Sequence, residues 1–164
     1  MNLPIKRVSL VILEDAESRV ALQLRDDIPT ISRPDQWGIF GGRIEENEVP
    51  FDAALREIAE ELSISLNPHK LSFLRRFDTV EEYKVFYLYH YNVDRSESEA
   101  FHLSEGQLYR VIGNDQIQRG MIDGKRIIAS HLDMLNWYWL QCRNLLEGMA
   151  EPGAVGNEGH PGAD

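Results

Sequence analysis

The sequence predicts a single α/β domain, an α/β/α sandwich in which helices cover both faces of a mixed β-sheet. Two observations lead to this fold class. Six short apolar or alternating segments, typical of strands, are interleaved with two longer segments of helical periodicity. The 164 residues are 43% hydrophobic and include 6 Phe, 6 Tyr and 3 Trp, which is enough to build one buried core.

The first three strands are predicted in the N-terminal part of the chain. Residues 6–14 form an apolar run typical of a buried strand, and residues 20–25 alternate, so the two segments form a candidate hairpin. Residues 26–36 are polar and contain two prolines, which predicts a long loop of the kind that is often functional. A short strand over residues 37–40 then leads into a pair of glycines.

The first helix is predicted from Pro50 to Leu62. Proline suits the first turn, because the amide hydrogen that it lacks would be unpaired there. Glu57, Glu60 and Glu61 share one face, where like charges repel and weaken a helix, so a divalent cation would convert repulsion into coordination. A different face carries an apolar stripe that is expected to meet the core: Phe51, Ala54, Leu55, Ile58 and Leu62.

The remaining elements follow in the C-terminal half. Residues 71–80 and the alternating residues 82–93 predict two strands, and residues 95–100 predict a polar turn. A short strand is expected at residues 109–112, and a second helix over residues 125–147, where apolar residues recur on one side.

The net charge of −10 is concentrated in two segments. Residues 45–61 hold seven acidic residues and one arginine, a net −6, and residues 148–164 hold three acidic residues. The latter segment is rich in glycine and contains two prolines, so we expect a domain over residues 1–147 followed by a flexible tail over residues 148–164. Acidity of this kind disfavours a nucleic-acid duplex or an anionic membrane as the partner.

The compartment is inferred from what the sequence lacks. Cys142 is the single cysteine, so an internal disulfide is excluded, and it is expected simply to pack within the last helix. Residues 1–7 contain no apolar stretch typical of a signal peptide, and no run approaches the ~20 apolar residues of a membrane span. We therefore expect a cytoplasmic protein.

The chemistry is indicated by one motif that begins at Gly42. Five residues separate Gly42 from Glu48, and seven more precede the run from Arg56 to Ile64, which reads REIAEELSI. This pattern resembles the box of the Nudix hydrolase family, Gly-x5-Glu-x7-Arg-Glu-U-x-Glu-Glu-x-Gly-U, where U is aliphatic. Ser63 stands where the box has glycine, and Phe40 stands where many members have proline before the paired glycines. Ser63 is expected to adopt a left-handed conformation, at some cost in strain.

The resemblance implies a fold and a set of roles. The fold is the Nudix α/β/α sandwich, and the cofactor is Mg²⁺, with Mn²⁺ as a substitute. Mg²⁺ prefers oxygen ligands and bridges carboxylates to phosphates. By resemblance, Glu57, Glu60 and Glu61 are catalytic carboxylates that bind metal, and the Gly41 carbonyl is a further ligand. Gly42, Glu48 and Arg56 support the box, the last two as an internal ion pair.

Two assignments rest on weaker patterns. Family members often add an acidic ligand from a loop, and we favour Glu105 over Glu97 and Glu99 because Glu105-Gly106-Gln107 resembles an element found there in some members.

For substrate binding we favour Arg25 and Arg43, which flank the loop leading to the metal site, over Arg33, Arg75 and Arg76. Trp37, Phe77 and Tyr83 are candidates for stacking on a base, although such aromatics more often belong to a core. The five histidines show no ligand spacing.

The resemblance implies a Mg²⁺-dependent pyrophosphohydrolase. Its substrate would be a small nucleotide in which a nucleoside diphosphate is linked to another moiety, as in a triphosphate, nucleotide sugar or dinucleotide, and water would attack phosphorus. The main alternative is a non-catalytic nucleotide-binding module, which degraded carboxylates would mark. Isomerisation of an isoprenyl diphosphate, also found in the family, would be expected to need a cysteine in the active-site cavity. A homodimer is compatible with the resemblance, since dimers are common among relatives.

Overall fold

The computed structural model describes residues 4–80 and 82–143. The predicted tail and the end of the predicted last helix therefore lie outside the described residues, as does the side chain of Cys142. The elements in chain order are β1 Lys6–Glu14, β2 Val20–Leu24, β3 Trp37–Arg43, α1 Pro50–Leu62, a 3₁₀ turn Pro68–Lys70, β4 Ser72–Thr79, β5 Lys84–Asn92, α2 Arg95–Glu99, β6 Leu108–Ile112, α3 Asn114–Ile117, β7 Met121–Ile122, β8 Lys125–Arg126, α4 Ala129–Trp137 and a π-helical turn Tyr138–Arg143.

Six strands form one mixed sheet in the order β4-β5-β1-β3-β2-β6. Strands β1 and β5 are parallel over their full length, from the pair Lys6 and Lys84 to the pair Glu14 and Asn92, whereas the other neighbours are antiparallel. The predicted mixed sheet is confirmed. The predicted hairpin is present only at its turn: Glu14 and Val20 pair antiparallel, and beyond this pair β3 lies between β1 and β2.

Alternation along β1 separates two layers of core. Leu10 and Ile12 join a cluster that includes Leu135 of α4, while Val11 and Leu13 join a cluster that includes Ile58 of α1. Successive side chains of a strand point to opposite faces, so α1 and α4 pack on opposite faces of the sheet. This arrangement confirms the α/β/α sandwich. None of the described helices has the length and apolar character needed to cross a bilayer.

The structure corrects three predicted boundaries. Strand β3 continues to Arg43 instead of ending at residue 40, because both glycines stay in the ladder beside β1. The predicted polar turn at 95–100 is the short helix α2, whose first turn is capped by Asp94. The last helix begins at Ala129 instead of Lys125. A small hairpin precedes it, turning at Asp123-Gly124, where both residues have positive φ.

Candidate active site

The carboxylate of Glu61 is the most buried acidic group of the predicted site. Helix α1 holds it against β3, with only 4% of the residue exposed. One oxygen accepts a hydrogen bond from the backbone N–H of Gly41 at 2.8 Å, and the other accepts one from the Gln23 side chain at 2.6 Å. Burial raises the pKa of Glu61 to about 8, and the neighbouring charges of Glu57 and Glu105 act in the same direction. Glu61 is thus a buried acid that a cation would stabilise in its charged form.

The guanidinium of Arg56 ties the rest of the cluster together. It donates to the two oxygens of Glu48 at 2.8 and 2.9 Å, to Glu57 at 2.8 Å and to Glu60 at 3.1 Å. It also donates to the backbone carbonyl of Arg43 at 2.9 Å. These contacts hold the pKa of Glu48 at about 2, whereas burial raises the pKa of Glu57 in spite of Arg56. The predicted pairing of Arg56 with Glu48 is therefore present, and Arg56 also reaches two of the carboxylates.

The two glycines make room for this cluster. A Cβ at Gly42 would overlap the carboxylate of Glu57, and a Cβ at Gly41 would overlap the backbone carbonyl of Ser9 on the neighbouring strand. Gly41 also has a φ of 129°, which L side chains rarely adopt. Glycine at position 42 leaves room for the Glu57 side chain of α1, and glycine at position 41 leaves room for the backbone of β1.

Glu105 is brought beside the helix carboxylates. It lies in the loop before β6, where the backbone N–H of Ser104 donates to the Glu61 carbonyl at 2.8 Å. Glu105 lines a cavity of about 500 Å³ together with Glu57 and Glu60, and a smaller one of about 110 Å³ together with Glu61. The predicted acidic loop residue thus lines the same cavities as the helix carboxylates.

Glu97 and Glu99, the two alternatives to Glu105, form their contacts around α2. Glu97 caps α2, accepts a hydrogen bond from Tyr91 and pairs with Lys70 at 3.0 Å. Glu99 is exposed and pairs with Arg95 at 2.7 Å. Both carboxylates therefore stabilise α2 and its surroundings instead of facing α1.

The carboxylates do not form a ready metal site as they stand. Within residues 4–80 and 82–143, no group of three or more His, Cys, Asp or Glu side chains is arranged to hold a metal ion. The contacts above explain this: Arg56 occupies oxygens of Glu57 and Glu60, and Glu61 accepts hydrogen bonds on both oxygens. To coordinate a metal, Glu57 and Glu60 would have to give up their hydrogen bonds to Arg56. The two hydrogen bonds from Arg56 to Glu48 would still hold the guanidinium in place.

A third cavity, of about 240 Å³, opens on the face of the sheet that α4 covers. Arg25 and Arg43, the predicted substrate residues, both line it. Trp37 does not: it is 1% exposed, and its indole N–H donates to the Ile122 carbonyl at 2.9 Å. The prediction of Trp37 as a stacking residue is wrong, because the β7–β8 hairpin closes over it.

His131 is a cavity residue that sequence reasoning missed. Its Nδ1 accepts a hydrogen bond from the Ile39 N–H at 3.0 Å, and its ring meets Phe86 edge to face. Burial, together with the charges of Arg25 and Lys84, lowers the pKa of His131 to about 3. His131 is therefore a neutral wall of the cavity. Its signal in the sequence was weak, since it is one of several polar residues in α4.

The comparisons with known proteins agree with this geometry. The model of the NUDIX domain matches residues 4–124, most of the chain. The chain belongs to the Nudix family. Within the curated proteins, it is similar to the dihydroneopterin triphosphate diphosphatase of Escherichia coli K12, with 31% identity over 83 residues. The matched segment covers 51% of each protein, so the chain spans about half the length of the curated relatives it matches.

Solved Nudix structures share the fold at low identity. A MutT protein from Methanosarcina mazei Go1 matches with a TM-score of 0.69 and 16% identity, over 87% of this chain and 99% of that one. A mutT/nudix family protein from Listeria innocua matches with a TM-score of 0.69 and 20% identity, over 92% and 100%. A bifunctional NMN adenylyltransferase/ADP ribose pyrophosphatase from Francisella tularensis, complexed with AMP and a Mn ion, matches with a TM-score of 0.64 and 17% identity, over 87% and 43%.

The two departures from the Nudix pattern are accommodated locally. Ser63 has a φ of 55° and a ψ of 30°, the left-handed conformation expected there, and its N–H donates to the Ala59 carbonyl. Its hydroxyl bonds to that of Ser104 at 2.8 Å, which links the end of α1 to the loop that carries Glu105. Phe40 is fully buried in the core beside α1. Neither departure removes a carboxylate from the site.

Proposed function

We propose that this Nudix protein hydrolyses a phosphoric anhydride bond in a small nucleotide whose diphosphate is linked to another moiety. One observation carries the proposal: Glu105 of the loop before β6 shares one cavity with Glu57 and Glu60 and another with Glu61, which accepts a hydrogen bond from the Gly41 N–H. The cavity with Arg25 and Arg43 lies next to them, so an anionic substrate can extend from the carboxylates into it.

The donor chemistry of the cluster fits Mg²⁺, with Mn²⁺ as a substitute. Carboxylate and carbonyl oxygens are the ligands of a hard cation. Burial and mutual repulsion raise the pKa of both Glu57 and Glu61, as expected where a compensating charge belongs. Glu57, Glu60, Glu61, Glu105 and the Gly41 carbonyl would hold the ion. When bound, it neutralises phosphate charge and lowers the pKa of bound water.

The protein residues supply orientation and proton transfer. Arg25 and Arg43 hold the phosphates from the cavity side, and Gln23 and the Gly41 N–H orient Glu61. A water oxygen forms a bond to phosphorus as the anhydride P–O bond breaks, and the leaving phosphate departs with the bonding electron pair. The proton of the water passes to a carboxylate, Glu57 or that of a loop residue such as Glu105.

The similarity to a triphosphate diphosphatase and to a pyrophosphatase domain supports this reaction class. The substrate panel for a test therefore contains nucleoside triphosphates, dihydroneopterin triphosphate, nucleotide sugars and dinucleotides, each with Mg²⁺ or Mn²⁺. Running the reaction in ¹⁸O-labelled water and reading the label by phosphorus NMR identifies the phosphorus that is attacked. NMR of the products also distinguishes hydrolysis from isomerisation.

Two variants make the test specific to the site. Glu61→Gln keeps the size of the side chain but removes its charge, and we expect kcat to fall at least about 100-fold, as for loss of a group that stabilises developing charge. Glu99→Gln, on the exposed face of α2, is the matched control and keeps full activity. The proposal is refuted if no panel member is hydrolysed or if Glu61→Gln is as active as the control. Tight binding without turnover, measured by calorimetry, would instead indicate a binding module.

A further inference from the structure

The cavity beside the carboxylates is strongly cationic in an acidic chain. Its lining contains no Asp or Glu, although the whole chain has a net charge of −10. Of the cations, Lys84 and Arg33 share one partner, Glu82, at 3.0 and 3.4 Å. Among residues 4–80 and 82–143, the ion pairs of the lining cations are those two, and none involves Lys6, Arg25 or Arg43. The five cationic lining residues are Lys6, Arg25, Arg33, Arg43 and Lys84.

The cations lie at two ends of the cavity. Arg43 also lines the 500 Å³ cavity and Arg25 the 110 Å³ cavity, both of which contain the carboxylates, so these two arginines belong to the reacting end. Lys6 and Lys84 are direct register partners on β1 and β5 and mark the other end. Along β1, Lys6 lies four residues from Leu10, the partner of Gly41, which is about 13 Å at the rise of a strand.

The region between the two ends is apolar and uncharged. Val8 and Phe86 form a register pair one step inward from the lysines, and Leu10 and Ile39 continue the surface towards Gly41. His131 completes the wall, with Nδ1 bonded to the backbone of β3. A neutral moiety such as a nucleoside suits this stretch, whereas two paired lysines at its end suit a phosphate.

We propose that the substrate carries a second phosphate, a monoester on the moiety remote from the scissile anhydride, and that Lys6 and Lys84 bind it. The flexible four-carbon stems let both ammonium groups reach back along the cavity, so the two phosphate positions lie within about 13 Å of each other. Arg33 adds a third donor from the loop before β3, and Glu82 offsets only one of the three charges. The inference rests on the proposed hydrolysis and narrows its substrate class.

Matched substrates that differ by one phosphate test it. Suitable pairs are coenzyme A with dephospho-coenzyme A, NADPH with NADH, and ADP-ribose 2′-phosphate with ADP-ribose, assayed with Mg²⁺. We expect at least one pair in which the phosphorylated member has a kcat/KM at least tenfold higher. Lys6→Met and Lys84→Met should each lower that kcat/KM about tenfold, through KM, and leave the unphosphorylated member unchanged. Lys6→Arg, which keeps the charge, should retain most of the preference.

The outcomes separate this proposal from the proposed function. Arg110→Met, on β6 outside the cavity, is the charge-matched control and should behave as the wild type. Equal kcat/KM for both members of every pair, with turnover, refutes the second phosphate and leaves hydrolysis intact. Equal losses on both members in the lysine variants also refute it. If nothing is turned over, the hydrolase proposal fails, and calorimetry with the same pairs decides whether the lysines recognise the phosphate.

Discussion

Protonation of His131 should couple stability to pH. His131 is 8% exposed, and its Nδ1 already accepts a hydrogen bond from the Ile39 N–H. Protonation would place a donor against that N–H and a charge beside Arg25, Lys84 and Arg33, with Glu82 alone in opposition. Burial and these charges lower the pKa of His131 to about 3. The unfolded chain, in contrast, titrates near the ordinary value of 6.5.

The direction and size of the effect follow from this difference. Because the unfolded state binds the proton more tightly, stability is unaffected above pH 6.5 and falls as pH decreases through 6.5 towards the folded-state pKa. Each pH unit in this window costs about 1.4 kcal/mol. Between pH 8 and pH 5, His131 should therefore remove about 2 kcal/mol from the free energy of unfolding.

Urea unfolding of the wild type and of His131→Asn at both pH values isolates this contribution. The asparagine Oδ1 can accept the same hydrogen bond from Ile39, so the variant keeps the bond and loses the titration. We expect the wild type to lose about 2 kcal/mol more than the variant over this interval. Equal losses in the two proteins would show that His131 is not held neutral by the fold, and the description of the cavity wall would be wrong.

Three further predictions concern the site. Gly42→Ala should lower kcat about 100-fold with the fold retained, because its Cβ displaces the Glu57 carboxylate; circular dichroism and steady-state kinetics check this. Trp37→Phe should cost about 1 to 3 kcal/mol in urea unfolding, since it leaves a buried carbonyl unpaired, and should leave KM unchanged. Glu105→Gln should raise the Mg²⁺ concentration needed for half-maximal activity at least about fivefold, while Glu99→Gln should not, as measured by metal titration.

Each of these three predictions would be contradicted by a specific result. An active Gly42→Ala enzyme would mean that the Glu57 carboxylate has no fixed place in the reaction. A raised KM in Trp37→Phe would restore the indole as a substrate contact. Equal metal dependence in Glu105→Gln and Glu99→Gln would leave the acidic loop residue without a role at the metal. None of these results depends on knowing the natural substrate, because any hydrolysed member of the panel serves.

The local part of the fold was readable from the sequence. Helix α1 has its predicted bounds, since proline at its start, an apolar stripe and a left-handed residue at its end all act within a few residues. The error at Lys125 has a related cause. The predicted helix includes Lys125 and Arg126, which the structure pairs with Met121 and Ile122 in a hairpin that turns at Asp123-Gly124.

Site residues could be predicted from the sequence only where they lie on a single secondary-structure element. Helical spacing places Glu57, Glu60 and Glu61 on one face of α1. Gln23, in contrast, reaches Glu61 from strand β2, and no motif in the sequence marks it. Trp37 shows the reverse case. An aromatic side chain at this position suits either base stacking or a core, and burial is decided by the distant β7–β8 hairpin, whose Ile122 carbonyl accepts a hydrogen bond from the indole N–H. Residue spacing carries no information on which segment will cover a side chain.

The distribution of charge shows why tertiary structure was needed to read the substrate. Most of the net −10 lies in residues 45–61 and in the last seventeen residues, so the rest of the chain is nearly balanced in sequence. In the folded structure, however, the charges of this part of the chain are not evenly distributed. Parallel pairing of β1 with β5 sets Lys6 beside Lys84, and the long loop before β3 adds Arg25 and Arg33 to the same cavity. An anionic ligand is therefore favoured on both sides of Gly41: on one side by carboxylates that would bind a cation, and on the other by five cationic side chains that share a single acidic partner, Glu82.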